Sequence, residues 1–182
     1  MIEIPAFAGL TAKHCRAAWQ ITQAAFNAAY GLGLTNKLEM SVAVIRPEGN
    51  TSPADFNGLT TEQLIGFGLT EDEIAKILYI DWFGRDPNPK YTLLAAKKGL
   101  LSARTGMPSG DVITNAPWLL LPGDVKYRGG VYEDGQAVGA SGVQSNWDEF
   151  YSWTQLSAQQ AITREETLVL AADDSQLFVP VR

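Results

Sequence analysis

The chain has 182 residues, 46% of them hydrophobic and 19% charged, with fourteen basic against twenty acidic side chains for a formal net charge of −6. That length and composition suit one domain with a real core, with or without a substantial insertion, and the acidic balance argues against nucleic acid as a partner. A single cysteine, Cys15, excludes an internal disulfide framework, and with a single histidine, His14, it excludes a zinc cluster of the usual spacing. The opening "MIEIPAFAGL" has neither the basic stretch nor the apolar run of a signal peptide. No run reaches the roughly 20 apolar residues of a membrane helix, so a soluble, cytoplasmic protein with no membrane partner is expected.

In chain order, Thr11 to Tyr30 reads as a helix. Cys15, Ala18, Trp19, Thr22, Ala25, Phe26 and Ala29 share one stripe, Thr11 serves as N-cap, and "GLG" at 31–33 is a stop. "EMSVAVIRP" (39–47) reads as a strand covered on both faces. Residues 51–76 contain two short amphipathic patterns, the second opened by a capping box from Thr70 to Glu73. "LYIDWFG" (78–84) either continues that helix or forms a strand; the strand is favoured, ending at "GRDPNP". "YTLLAAKKGLLSARTG" (91–106) reads as a second long helix with an apolar stripe of Leu93, Ala96, Leu100 and Ala103.

"GGVYEDGQAVGASGV" (129–143) holds five glycines in fifteen residues. Asp134-Gly135 between alternating segments is a hairpin signal, because a two-residue turn needs positive φ. Both faces of the second strand are nearly bare of bulk: Ala137, Gly139, Ser141 and Val143 on one, Val138, Ala140 and Gly142 on the other. Such a strand makes sense where a helix packs closely or where a flat ligand approaches the backbone. It matches neither a phosphate loop nor a dinucleotide fingerprint. A helix capped by Asn146 then runs from about Trp147 to Ile162, and the remaining tail is expected to form a further hairpin or an arm against a neighbouring subunit.

Three segments resemble the GlcG/HbpS family of haem-binding proteins, which also includes the C-terminal domain of PduO-type corrinoid adenosyltransferases. "LTAKHCRAAWQITQAA" is similar to the family's opening helix. "AAKKGLLSARTGMPS" is similar to its middle helix, with Lys98 and the Pro108-Ser109 pair. "GGVYEDGQAVGASGV" is similar to its double glycine and Val-Gly-Ala-x-Gly-Val signature. Residues 51–76 then read as an insertion, 1–162 as the family-like domain, and 163–182 as a C-terminal extension. Ser141 stands where the family usually has an aliphatic residue, and the segment between Gly130 and Asp134 is shorter than usual.

The resemblance implies an α/β (α+β) domain of profilin-like architecture, an antiparallel sheet flanked by helices, in subunits that assemble as homo-oligomers, dimers or higher. It implies haem in a cleft between or beside subunits. The candidate binding residues are His14, Lys98, Arg104, Ser109, Gly129, Gly130, Gly139 and Ser141. His14, as the only imidazole, is the candidate iron ligand, set against the bland reading of a surface histidine near a helix start. Lys97, Lys98, Arg104, Lys126 and Arg128 are candidate partners for carboxylates, and Tyr127, Tyr132 and Trp118 for stacking on a planar ligand. Asp148 and Glu149 suit the helix dipole as well as an acid–base pair.

The expected function is an oligomeric small-molecule-binding protein holding haem or a related flat, anionic ligand beside the glycine-rich hairpin. The alternative is an enzyme on a small organic acid or carbonyl compound, with Arg104 or Lys98 holding a carboxylate and His14 or an acid moving the proton.

Overall fold

The computed structural model describes residues 9–172, with side chains to residue 167. The elements run α1 (Ala12–Gly31), β1 (Met40–Ile45), α2 (Thr61–Phe67), α3 (Glu71–Ile74), β2 (Ile77–Phe83), α4 (Pro89–Thr105), α5 (Ser109–Asn115), a 3₁₀ turn (Pro117–Leu119), β3 (Gly130–Glu133), β4 (Gln136–Ser141) and α6 (Ser145–Ala172). The four strands form one antiparallel sheet in the order β2-β1-β4-β3. The expected α+β arrangement, an antiparallel sheet flanked by helices, is what the chain adopts.

Period-two alternation in β1 and β4 sorts the core into two layers. Met40, Val42 and Val44 of β1, with Val138 and Ala140 of β4, face α1 and α6 in a cluster that contains Trp19, Phe26, Tyr151 and Leu156. Phe26 sits against Phe83 and Tyr151 at ring-centroid distances of 4.8 and 5.5 Å. Ala43, Ile45 and Ala137 point the other way, into a cluster with Ala95 and Ala96 of α4 and Leu64, Leu69 and Ile74 of the 51–76 segment.

The helix ends follow local chemistry. Asn88 Oδ1 accepts from the N–H groups of Lys90 and Tyr91, Pro89 takes the first helical position of α4, and Gly106 closes it in the left-handed region. Thr60–Gln63 and Thr70–Glu73 both form reciprocal capping boxes. Glu73 also pairs with Lys97 at 2.5 Å, tying α3 to α4. Ahead of these helices Asp55 forms a single parallel bridge with Tyr79, and Asn57 donates to Asp81 at 2.7 Å, so this stretch borders the outer edge of β2. The two helices of 51–76 lean on α4.

The stripe of α4 that meets the sheet is not the bulky one read from the sequence. Its buried residues are Thr92, Ala95, Ala96, Lys98, Gly99, Leu101 and Ser102; of the expected stripe Ala96 is among them, while Leu93, Leu100 and Ala103 are half-buried at its flank. Hydropathy favours bulk, but this contact selects for absence of bulk. A Cβ on Gly139 would collide with the Ala95 carbonyl oxygen and lie 2.6 Å from the Gly99 nitrogen. A Cβ on Gly130 would strike the Lys98 carbonyl and lie 2.6 Å from Ser102 Oγ, and one on Gly99 would lie 2.9 Å from Ile45 Cγ1. Of the two explanations open for the slim hairpin, close helix packing therefore accounts for Gly130 and Gly139.

Three local expectations are corrected. The run "KYRGGVY" (126–132) reads as the hairpin's first strand, but the strand begins only at Gly130, because Gly129 (φ 116°) turns the chain there. The last helix starts at Ser145, one residue before Asn146, with the Asp148 N–H bonded to the Gln144 carbonyl at 2.8 Å. That helix also continues through Ala172 rather than ending near Ile162. Residues 163–172 contain no proline or glycine to stop it, and short apolar runs such as "LVL" fit either secondary structure. Residues 173–182, part of the expected hairpin or arm, lie outside the described residues. The hairpin itself is as expected: Asp134 (φ 49°) and Gly135 (φ 80°) form the two-residue turn, with Glu133 opposite Gln136.

Gly139→Ala is expected to lower stability by roughly 3 kcal/mol or more, since neither the Ala95 carbonyl nor the Gly99 amide can yield without moving a helix. Gly66→Ala, where an added Cβ meets nothing within 4 Å, is expected to be neutral or stabilising. Urea unfolding midpoints of the two variants measure the contrast.

Candidate functional site

Where the small-residue stripe of α4 passes the end of β4, the chain opens a cleft of about 650 Å³. Tyr91, Leu94 and Tyr127 form its walls, Ser141 to Ser145 one side, and Lys98 with Asp148 its closed end. Lys90, on the first turn of α4, is exposed at its edge. The volume lies within the range of ordinary small-molecule sites.

The floor is a buried ion pair. Lys98 Nζ donates to Asp148 Oδ2 at 2.7 Å and to the Ala140 carbonyl at 3.0 Å, and the two side chains are only 2% and 6% exposed. Asp148 Oδ1 accepts the Val143 N–H at 3.0 Å, and the Gly142 amide also supports the carboxylate. Burial pushes the Lys98 ammonium below its ordinary pKa and the Asp148 carboxyl above its own, while the mutual attraction opposes both shifts. Both shifts favour the neutral forms, so the pair stands nearer to amine and carboxylic acid than an exposed pair would.

The double glycine builds the wall around this pair. A Cβ on Gly129 would lie 2.8 Å from Asp148 Cβ and 2.9 Å from both the Ala140 oxygen and Lys98 Nζ. The Gly129 carbonyl accepts from Ser152 Oγ at 2.7 Å and from the Ala140 N–H at 2.9 Å. The Gly130 N–H donates to Ser109 Oγ at 2.9 Å, and Ser109 in turn donates to the Tyr127 carbonyl at 3.2 Å. Ser109, a candidate binding residue, lines neither cavity and instead pins the 127–130 strand entry; Pro108 holds the cap position of α5.

The structure thus gathers Lys98, Ser141 and Gly129 at one place, with Gly130 and Gly139 behind them under α4. Arg104 lies elsewhere. It pairs with Asp124 at 2.5 Å and donates to the Leu119 carbonyl at 3.1 Å, lining a second cavity of about 480 Å³ with Arg46, Glu73 and Tyr132. Of the other cations, Lys97 is held by Glu73, and Lys126 and Arg128 are exposed. Trp118 is 76% exposed and lines neither cavity.

His14 is buried near the N-terminus of α1. Its Nδ1 accepts the Thr11 N–H at 3.0 Å, completing a capping box, and its Nε2 is 2.6 Å from Glu166 Oε2 on α6. An accepting Nδ1 places the neutral ring's proton on Nε2, directed at the carboxylate. The hydrogen bond from His14 holds the exposed Glu166 below the usual carboxylate pKa. Iron on Nε2 would have to displace Glu166. Cys15 is fully buried, and desolvation pushes its thiol far above the ordinary value, leaving it a small core residue.

Among the described residues no group of three or more His, Cys, Asp or Glu side chains is arranged to hold a metal ion. Tyr91 and Tyr127 line the cleft with Lys90, and tyrosine is among the side chains that can ligate haem iron. Asp148, read from the sequence as a helix-dipole acid or as half of an acid–base pair with Glu149, is instead paired with Lys98. The signal available was a lysine in register with Ala95 and Ser102 on a helix face otherwise made of small residues.

No family model matches the sequence, and no curated protein matches it either. Among solved structures, a double mutant of HbpS from Streptomyces reticuli superposes with a TM-score of 0.50 at 21% identity, covering 84% of this chain and 86% of that one. The Klebsiella pneumoniae protein ORFY, described as DUF336, aligns with a TM-score of 0.47 at 13% identity over 80% of this chain and 89% of that one. The chain has the HbpS fold: a four-stranded antiparallel sheet between helical layers. No helix of the described residues is long and apolar enough to cross a membrane.

Removing one partner of the buried pair is expected to cost about 3–5 kcal/mol, because the other charge is stranded without solvent. Lys98→Met should show that loss in urea unfolding, and Lys98→Met/Asp148→Asn should recover part of it. Simple addition of the two single-variant losses would show that the two groups are not coupled.

Proposed function

We propose that this protein is a small-molecule-binding protein whose site is the cleft between α4 and the start of α6, and that its ligand is flat, partly apolar and anionic, with haem a member of that class. The observation that carries the reading is the coincidence, in one cleft, of two tyrosine rings, an exposed lysine at the rim and a buried ion pair at the floor. Aromatic walls suit a planar ligand, and Lys90 suits its carboxylate. The HbpS fold and the glycine-rich hairpin support the assignment. The hairpin's part is indirect: it brings α4 close enough to form the cleft wall.

A homo-oligomer, dimer or higher, belongs to the same reading. Trp118, Leu121 and Tyr127 are 76%, 56% and 56% exposed, large apolar side chains within one loop region that leads to the cleft wall. A second copy covering them would enclose the ligand. Light scattering of the full chain and of Trp118→Lys checks this. The expected outcome is a multimeric mass that falls in the variant, and a monomeric wild type rejects the proposal.

The ligand reading is tested by titrating purified protein with haemin and following the Soret band. Saturable binding is expected, weakened roughly ten-fold or more in Leu94→Trp, which fills the cleft. His14→Ala distinguishes two placements. A haemin in the cleft keeps its spectrum in that variant, whereas a haemin ligated by Nε2 loses its axial field. No saturable spectral change in the wild type sets the haem reading aside.

A further inference from the structure

Resting on the cleft as a small-molecule site, we propose that Lys98 is a carbonyl-reactive amine, so that the cleft accepts a small aldehyde or ketone and holds it as an imine, with Asp148 as the proton carrier. A lysine whose task is to attract an anion is ordinarily left in water, as Lys90 is. Lys98 is instead drawn to the closed end of the cleft, its Nζ set between one carboxylate oxygen and one backbone carbonyl.

Three features suit nucleophilic use. The surroundings of Nζ are poor in water, and the shifts of both partners favour amine and acid over ammonium and carboxylate. Asp148 is fixed in place, its other oxygen taking the Val143 N–H, so Oδ2 is aimed at Nζ. Gly129, on which a Cβ would lie 2.9 Å from Nζ and 2.8 Å from Asp148 Cβ, keeps any side chain from pushing the amine off the carboxylate.

The step balances within the pair. Asp148 takes one proton from the Lys98 ammonium. The neutral amine adds to the carbonyl carbon, forming the C–N bond as the carbonyl π bond opens and a proton passes from nitrogen to oxygen. The Asp148 acid then protonates the hydroxyl as the C–O bond breaks. One water leaves, and a protonated imine remains beside an Asp148 carboxylate. No oxidant, reductant or metal is required. The aromatic walls and Lys90 at the rim select an aryl or short-chain carbonyl compound that carries an acid group.

The test uses 4-formylbenzoate as the probe and 4-methylbenzoate as its non-carbonyl counterpart. Binding of each to the full chain is followed by calorimetry. Incubation with 4-formylbenzoate and cyanoborohydride at neutral pH is followed by peptide mass mapping. The expected result is reductive modification of Lys98 at roughly ten times the level of any exposed lysine such as Lys13, Lys37 or Lys90. Asp148→Asn should lower that level by a similar factor. The wild-type map decides even where Lys98→Met fails to fold. Modification confined to the exposed lysines, with 4-methylbenzoate binding intact, overturns the imine and leaves the cleft reading standing. Saturation by neither compound, with no modification of Lys98, overturns both.

Discussion

The contact on which the rest of the structure depends is that of a helix backbone against a hairpin backbone. Gly139 of β4 faces the Ala95 carbonyl and the Gly99 amide, and Gly130 of β3 faces the Lys98 carbonyl, with no side chain between them. In most helix-on-sheet layers large apolar side chains fill the gap and contribute most of the stabilising burial. Here the bulk has been moved aside: to Leu93 and Leu100 at the flank of α4, and to the opposite face of the sheet, where Trp19, Phe26 and Tyr151 form the larger cluster. Close approach rather than volume determines where α4 lies.

The site follows from that approach. Because α4 lies so low, Lys98 reaches between β4 and the start of α6 instead of reaching water. There it meets the Ala140 carbonyl and the Asp148 carboxylate. Burying two charges is expensive, and the structure offsets the expense with short hydrogen bonds and with amides at Val143 and Gly142. The double glycine connects the two halves of this arrangement. Gly130 makes room for the helix and Gly129 for the pair, while Ser109 and Ser152 hold both in position.

Much of the fold was readable because it is written in local signals. The Asp134-Gly135 turn, the capping box at Thr70 and the two-sided burial of β1 each have a short-range physical cause. The two-layer arrangement also follows from β1 and β4, whose alternating residues are apolar on both faces. What could not be read was orientation. The hydrophobic stripe of α4 pointed to Leu93 and Leu100, whereas a small-residue stripe one step around the helix faces the sheet. No rule of periodicity separates those two faces. The grouping of the candidate residues was legible only in part. Lys98, Ser141 and Gly129 fell together, yet Arg104 went to a second cavity and His14 into a cap with Glu166. Those outcomes depend on partners 20 and 152 residues away in the chain.

The glycine contact also has a consequence for how such a protein can change over time. A side chain cannot be added at position 130 or 139 unless α4 withdraws, and α4 cannot withdraw without pulling Lys98 from Asp148. Packing of this kind offers no series of single, mildly harmful steps, since the first added carbon already collides. The hairpin and the middle helix are therefore bound to drift together or not at all. Novelty is left to segments outside that lock: the 51–76 stretch, the loop carrying Trp118 and the far end of α6. A lineage built on this frame would be expected to keep its backbone while its edges diverge.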